Sequence, residues 1–325
     1  MMPGFLSTAY KFMRLRGSRS LFDRGYQVQF ELSERGRPRA LSIAGLRVER
    51  DVCYHPQPDG NASEQSLDIY APADEKRSDS ARAVVVFMHG GGWRAADKQD
   101  VFGVHANICT ALAQRGLVAV NVNYRLSPRV RHPAHALDAA HALRWVRDNI
   151  AGFGGDAENI FASGHSSGGH LAALVALDER YLREAGAPRS FIKGVIGISG
   201  IYNLEHFAGR NRMAARLMTR PAFGADTKAW TDASPVNHVR EGAPPFLMIN
   251  AEDDERLEEE AEELATLLRK AGGSAETLII PGTDHFTILG FVGNRDDTLI
   301  DSIVSFVNER TQQKQNSGVR IQKSE

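Results

Sequence analysis

The chain has 325 residues, 42% of them hydrophobic, and its 39 Lys and Arg are balanced by 40 Asp and Glu. That length suits one large domain with insertions, and the apolar share supplies a sizeable core. A formal charge of −1 excludes a strongly basic chain and gives no reason to expect nucleic acid or an anionic membrane as partner. No apolar run approaches a membrane span or a secretory signal, so we expect a soluble, cytoplasmic protein with no stable membrane insertion and no nucleic-acid partner. Cys53 and Cys109 have no metal or redox spacing and read as buried small residues, with one disulfide as the alternative.

Residues 1–45 are Arg-rich and weakly patterned, an N-terminal extension that could pack over an active site as part of a cap. From Leu46 onward the pattern sharpens. Segments 46–54 and 66–70 read as two strands around a polar loop, and 83–88 (AVVVFM) is a continuous apolar run suited to a strand covered on both faces. Similar runs occur at 117–122, 160–163, 195–198, 245–250 and 277–280. Helical spacing lies between them: Leu137, Ala140, Leu143 and Val146 in 133–150, then Leu257, Ala261, Leu264 and Leu268 in 255–270. The second of these should stop at Gly272-Gly273. Glu258, Glu259, Glu260, Glu262 and Glu263 read as its solvated face. A last helix is expected over 298–310, followed by a polar, disordered tail from 312 to 325. The stretch from about 200 to 244 breaks the rhythm and reads as a cap-like insertion in a domain spanning 46–311. Alternation of strands and helices predicts an α/β fold: a mostly parallel sheet of about eight strands, an antiparallel edge and helices on both faces. Ligands in such sheets bind beyond the carboxyl ends of the strands.

The unusual residues lie there. Gly164-His165-Ser166-Ser167-Gly168 is G-x-S-x-G between a strand and a helical run, the context in which a serine is held up on a sharp turn. His89-Gly90-Gly91-Gly92-Trp93 follows the 83–88 strand. Its glycines free backbone N–H groups to meet a developing oxyanion, and the N–H of Ser167 would complete that hole. It lacks the Lys-Ser/Thr ending of a phosphate loop and the G-x-G-x-x-G spacing of a dinucleotide site. A serine needs a base, commonly a histidine held by a carboxylate. Asp253 and Asp254 follow the 245–250 strand and His285 follows the 277–280 strand, giving the chain order Ser, Asp, His.

From about Val48 to Glu309 the chain resembles the α/β-hydrolase esterases with an HGGGW-type oxyanion motif, the carboxylesterase, acetylesterase and arylformamidase group related to hormone-sensitive lipase. Asn123-Tyr124-Arg125-Leu126-Ser127-Pro128 resembles the connection after their fourth sheet strand. Pro281-Gly282-Thr283-Asp284-His285-Phe286 resembles their histidine loop, and Ser199-Gly200-Ile201-Tyr202-Asn203-Leu204 the start of their cap. The resemblance implies the α/β-hydrolase fold, a Ser166–His285–Asp254 triad, an oxyanion hole at Gly90, Gly91, Gly92 and Ser167, and no cofactor. Their H-G-x-x-D pattern aligns with Asn250-Ala251-Glu252-Asp253-Asp254 and selects Asp254, with Asp253 the fallback because Asn-Ala replaces His-Gly.

Around this site, Trp93, His165, Tyr202 and Phe286 are candidate substrate-binding residues, each with packing as the plainer alternative. His89 should orient the oxyanion loop. His132, His135 and His141 invite a metal reading, but the 135-to-141 spacing does not share a helix face and no metal is expected. The expected partner is a small-molecule ester; the oligomeric state is left open, with a homodimer as one option. An esterase leads, an arylformamidase acting on N-formylkynurenine with the same triad comes second, and a non-catalytic hydrolase-fold binding protein third.

Overall fold

The computed structural model describes residues 28–32, 38–43, 45–55, 63–73, 81–99, 103–188, 190–290, 292 and 297–321. Its strands are β1 (Val28–Leu32), β2 (Pro38–Ile43), β3 (Leu46–Cys53), β4 (Ser66–Pro72), β5 (Arg82–Met88), β6 (Val118–Val122), β7 (Gly155–His165), β8 (Ile192–Ile198), β9 (Phe246–Asp253) and β10 (Ala275–Asp284). They form one sheet in the order 1-2-3-4-6-5-7-8-9-10. Pairing is antiparallel from β1 through β4 to β6 and parallel from β6 to β10. The eight strands expected from sequence correspond to β3–β10. Two more, β1 and β2, extend the antiparallel edge; the rest of the N-terminal extension, 1–27, 33–37 and 44, lies outside the described residues, and so does any capping by it.

The helices are α1 (Val104–Gln114), α2 (Ala134–Asn149), α3 (Ser167–Leu177), α4 (Glu179–Glu184), α5 (Leu204–Arg210), α6 (Arg212–Ala214), α7 (Arg220–Phe223), α8 (Thr227–Asp232), α9 (Leu257–Lys270), α10 (Thr287–Gly290) and α11 (Thr298–Ile321). The period-2 alternation of a strand divides β5 between two cores. Val84, Val86 and Met88 join the cluster built with α2, α3 and α9, while Val85 and Phe87 join the one built with α1 and α11. All five are fully buried. Each such side chain contributes roughly 1.5–3 kcal/mol of apolar burial, which explains why the run carries no polar residue.

Several boundaries differ from expectation for physical reasons. β7 begins at Gly155, five residues before its apolar run, because Gly155 pairs with Arg82; the register then shifts so that Ile160 pairs with Val84. The last helix continues through Ile321, where a disordered tail was expected. Glu260, expected on the solvated face of α9, is 1% exposed. It shares the inner face with Leu257, Ala261 and Leu264, and its Oε2 accepts the N–H groups of Tyr202 and Asn203 at 2.9 and 3.0 Å. The helix stops as anticipated: Gly272 is left-handed at φ 80°, and the N–H of Gly273 donates to Leu268 O. Among the described residues no helix is long and apolar enough to cross a membrane, and both cysteines are free thiols.

Candidate active site

β7 runs straight into a turn at Ser166, with φ 54° and ψ −118°, and α3 starts at the next residue. A non-glycine residue held there stores on the order of 1–3 kcal/mol of backbone strain, so the surroundings must impose it. They do so by close approach. A Cβ at Gly168 would overlap the carbonyl of Met88, and one at Gly164 would overlap the backbone of Gly168. Ser166 N–H donates to Ile198 O at 2.9 Å, tying the turn to β8. The serine is thereby fixed at the N-terminus of an 11-residue helix, where the dipole favours negative charge.

β9 and β10 deliver the acid and the imidazole. Asp254 follows β9 and is 1% exposed. Its Oδ1 accepts from His285 Nδ1 at 2.7 Å, while its Oδ2 accepts from Asn250 Nδ2 at 2.9 Å and Ala251 N at 3.2 Å. Asp253 is exposed, so of the two candidates only Asp254 meets the histidine. The departure from His-Gly at 250–251 has a use here, since Asn250 supplies a donor to the carboxylate. With Nδ1 committed to Asp254, Nε2 is the nitrogen of His285 available to accept a proton. The His285 loop is tied to the residue before the serine: His165 Nε2 donates to the His285 carbonyl at 2.9 Å, and the two rings lie 4.8 Å apart. Burial drives the His165 pKa well down, which keeps it neutral.

The third part is the 89–94 loop. Gly90 lies against the Ser166 turn: a Cβ there would stand 2.8 Å from His165 Nδ1 and 3.4 Å from Ser166 Cβ. His89 Nδ1 donates to Gly90 O at 2.7 Å, the orienting contact expected of it. Tyr124, whose role the sequence did not disclose, stacks on His89 at 4.4 Å, donates to His89 O at 2.9 Å and reaches Ser167 Oγ at 3.4 Å. Its own segment is anchored by Arg125, whose Nε and Nη2 grip the buried carboxylate of Asp138 at 2.8 Å. The signal was the Asn123–Pro128 stretch, legible as a motif but not as a support for two donors.

Two candidate pocket residues need correction. Trp93 and Tyr202 are 0% and 1% exposed, out of reach of a bound ligand. Trp93 Nε1 donates to His170 Nδ1 at 3.2 Å, and its ring meets Phe223 edge-on at 4.8 Å. Tyr202 sits beneath β8, its hydroxyl against Gly197 and Gly200. Bulky aromatics near a site suit a pocket wall or a foundation equally well in sequence; burial decides for the foundation. His165 is 6% exposed and acts as a strut. Phe286, 41% exposed and edge-on to His285 at 5.3 Å, stays at the rim.

The histidines weighed as ligands pack instead. His141 stacks on His55 at 3.9 Å, His132 Nε2 meets Tyr181 Oη at 3.1 Å, and His135 Nε2 meets Ser127 Oγ at 3.0 Å. Among the described residues no group of three or more His, Cys, Asp or Glu is placed to hold a metal ion.

Known proteins of similar sequence and structure give a consistent picture. The BD-FAE family model matches residues 67–268. Esterase LipC of Mycobacterium tuberculosis is 31% identical over 304 residues, 87% of this chain and 70% of that protein. The isoprenylcysteine alpha-carbonyl methylesterase ICME of Arabidopsis thaliana is 27% identical over 81% of this chain and 62% of that one. The chain spans 50% to 70% of the length of these two and six other curated relatives. Among solved structures, the hyperthermophilic esterase from Pyrobaculum calidifontis superposes with a TM-score of 0.65 at 29% identity, covering 82% of this chain and 86% of that one. Esterase B from Lactobacillus rhamnosis gives 0.73 at 20% identity, covering 96% and 94%, a likeness of fold. The chain belongs to the BD-FAE family and is an α/β-hydrolase-fold protein of the carboxylesterase type.

Proposed function

We propose that the protein hydrolyses small to medium carboxylic esters through Ser166, His285 and Asp254, by way of an acyl-enzyme. Ser166 Oγ forms a bond to the ester carbonyl carbon as its proton passes to His285 Nε2. The carbonyl oxygen becomes an oxyanion that accepts from the backbone N–H groups of Gly90, Gly91, Gly92 and Ser167. The bond to the alcohol oxygen breaks and His285 returns the proton to it. Water then repeats the sequence on the acyl-enzyme, and Asp254 holds the imidazole in one tautomer and steadies its charged form.

The observation that carries this reading is the 2.7 Å bond from His285 to a fully buried carboxylate, in a histidine loop tied to the residue before a strained serine. A buried carboxylate that binds an imidazole and two further donors is costly to assemble and is the usual orienter of a general base. The exposed apolar side chain of Phe286, edge-on to His285, suits the hydrocarbon part of an ester.

The test is a series of p-nitrophenyl esters of rising acyl length together with N-formylkynurenine, run on wild type and Ser166→Ala. Turnover of short and medium esters that disappears in Ser166→Ala is expected. Preferential turnover of N-formylkynurenine would move the reading to an arylformamidase, and near-normal ester turnover by Ser166→Ala would remove the serine mechanism.

A further inference from the structure

We propose that Met218 is a positioning residue for the oxyanion loop, and that the inserted segment holds that loop from above through a single π-helical turn. The inference rests on the hydrolase reading of the site given above.

Residues Ala215–Thr219 form a π-helical turn, closed by the bond from Arg220 N to Ala215 O. The extra residue of such a turn pushes the backbone outward, and turns of this kind cluster at functional sites. Two consecutive residues of it hold the loop. Met218 is half-buried and fills the space beside Gly92: a Cβ on that glycine would overlap Met218 Sδ and stand 2.8 Å from its Cγ. One residue back, the Leu217 carbonyl accepts from the Arg94 guanidinium. Residues 217 and 218 thus grip residues 94 and 92.

The loop needs outside support. Gly92 and Trp93 have φ of 63° and 60°, a left-handed pair that is unfavourable for the tryptophan. From below, Trp93 is fixed by His170 and Phe223, and its carbonyl accepts from Ser127 N at 2.8 Å. From above, the turn supplies Met218 and the Leu217 carbonyl. Ala215 and Thr219 of the turn are buried, while Arg216 and Leu217 are exposed, Leu217 by 38%. A thioether is well suited to press on a bare Cα, because it is unbranched and polarisable and adapts to an irregular gap. Oxyanion donors act only when aimed where the charge develops, and a misplacement of about 1 Å can cost on the order of 100-fold. If Met218 sets that aim, its removal should weaken transition-state binding and leave substrate binding alone.

The experiment compares wild type with Met218→Ala, Met218→Leu and Arg94→Met. Each is assayed for kcat and KM on p-nitrophenyl acetate and hexanoate. Inhibition is measured with a trifluoromethyl ketone, which forms a tetrahedral oxyanion on the serine, and with the matching methyl ketone, which does not. For Met218→Ala we expect kcat lower by about 10-fold or more on both esters with KM within about twofold. Trifluoromethyl ketone affinity should fall in step with kcat/KM while methyl ketone affinity holds. Met218→Leu should recover most of the loss, and Arg94→Met should show a smaller loss of the same kind. Unchanged kcat overturns the proposal, as does a loss confined to KM for the hexanoate, which would make Met218 a pocket wall. Should Met218→Ala not fold, Arg94→Met decides: a loss in kcat with KM held supports the proposal, and wild-type kcat overturns it. Retained turnover in Ser166→Ala is a separate result: it removes the hydrolase reading and this inference with it.

Discussion

The two halves of the site are held in different ways. On the proposed acid–base side, Asp254 has its three partners among the last residues of β9 or on the histidine it meets: Asn250, Ala251 and His285. On the side of the proposed oxyanion hole, the 89–94 loop is held by Tyr124, Ser127, His165, His170 and Met218, drawn from the length of the chain. One half is fixed by charge-assisted hydrogen bonds, which residue type largely dictates. The other is fixed by packing on a backbone whose conformation is not self-supporting. The first should fail by losing its chemistry, the second by degrees.

Substitutions can sharpen that contrast. Ser166→Ala should lower kcat by on the order of a million-fold, the largest effect, because no other group supplies the attacking oxygen. Asp254→Asn should cost on the order of 10,000-fold, since an amide stabilises the wrong imidazole tautomer while the geometry persists. Gly92→Ala should cost roughly 100- to 1,000-fold: the new Cβ displaces Met218 and the left-handed backbone resists it. Steady-state kinetics with a short p-nitrophenyl ester measures all three. An Asp254→Asn loss no larger than that of Gly92→Ala would erase the distinction between the halves.

Acidification gives a smaller test in the same direction. The oxyanion half stands on neutral imidazoles. Burial lowers His170 and His135 to about 3 and His132 to about 4, and drives His165 well down. The unfolded chain binds protons at these groups near pH 6.5 and the fold resists them, so stability is lost as pH falls below that value. At pH 5 each contributes at most about 2 kcal/mol. Glu260 opposes this: burial raises it to about 7, so it favours the fold as pH falls from 7 toward its unfolded value. Four imidazoles outweigh one carboxyl. The thermal midpoint should therefore fall between pH 6.5 and 5, and a midpoint that rises over that interval would contradict this reading of the imidazoles.

Sequence disclosed the parallel strands because burial on both faces permits only apolar residues there, as Val84 to Met88 show. It disclosed Ser166, His285 and the glycines because their types are uncommon at strand ends. It could not place the polar start of β7, the edge strands within 28–43 or the last turns of α11, where no continuous apolar run marks the element. It misread Glu260 as solvated because a carboxylate buried under two backbone N–H groups has no local signature. Trp93 and Tyr202 were legible as aromatics near the site but not as its foundation, and Met218 was one of many apolar residues in an irregular stretch. Each of these depends on partners distant in the chain.

Everything proposed for the site depends on Ser166 being a nucleophile activated by His285. Treatment with a fluorophosphonate, followed by peptide mapping by mass spectrometry, probes that dependence without assuming a substrate. One phosphonyl adduct is expected, on the peptide carrying Ser166, absent in Ser166→Ala and formed far more slowly in His285→Ala. An adduct on another residue, or an unlabelled Ser166 in protein that still turns over ester, would contradict it.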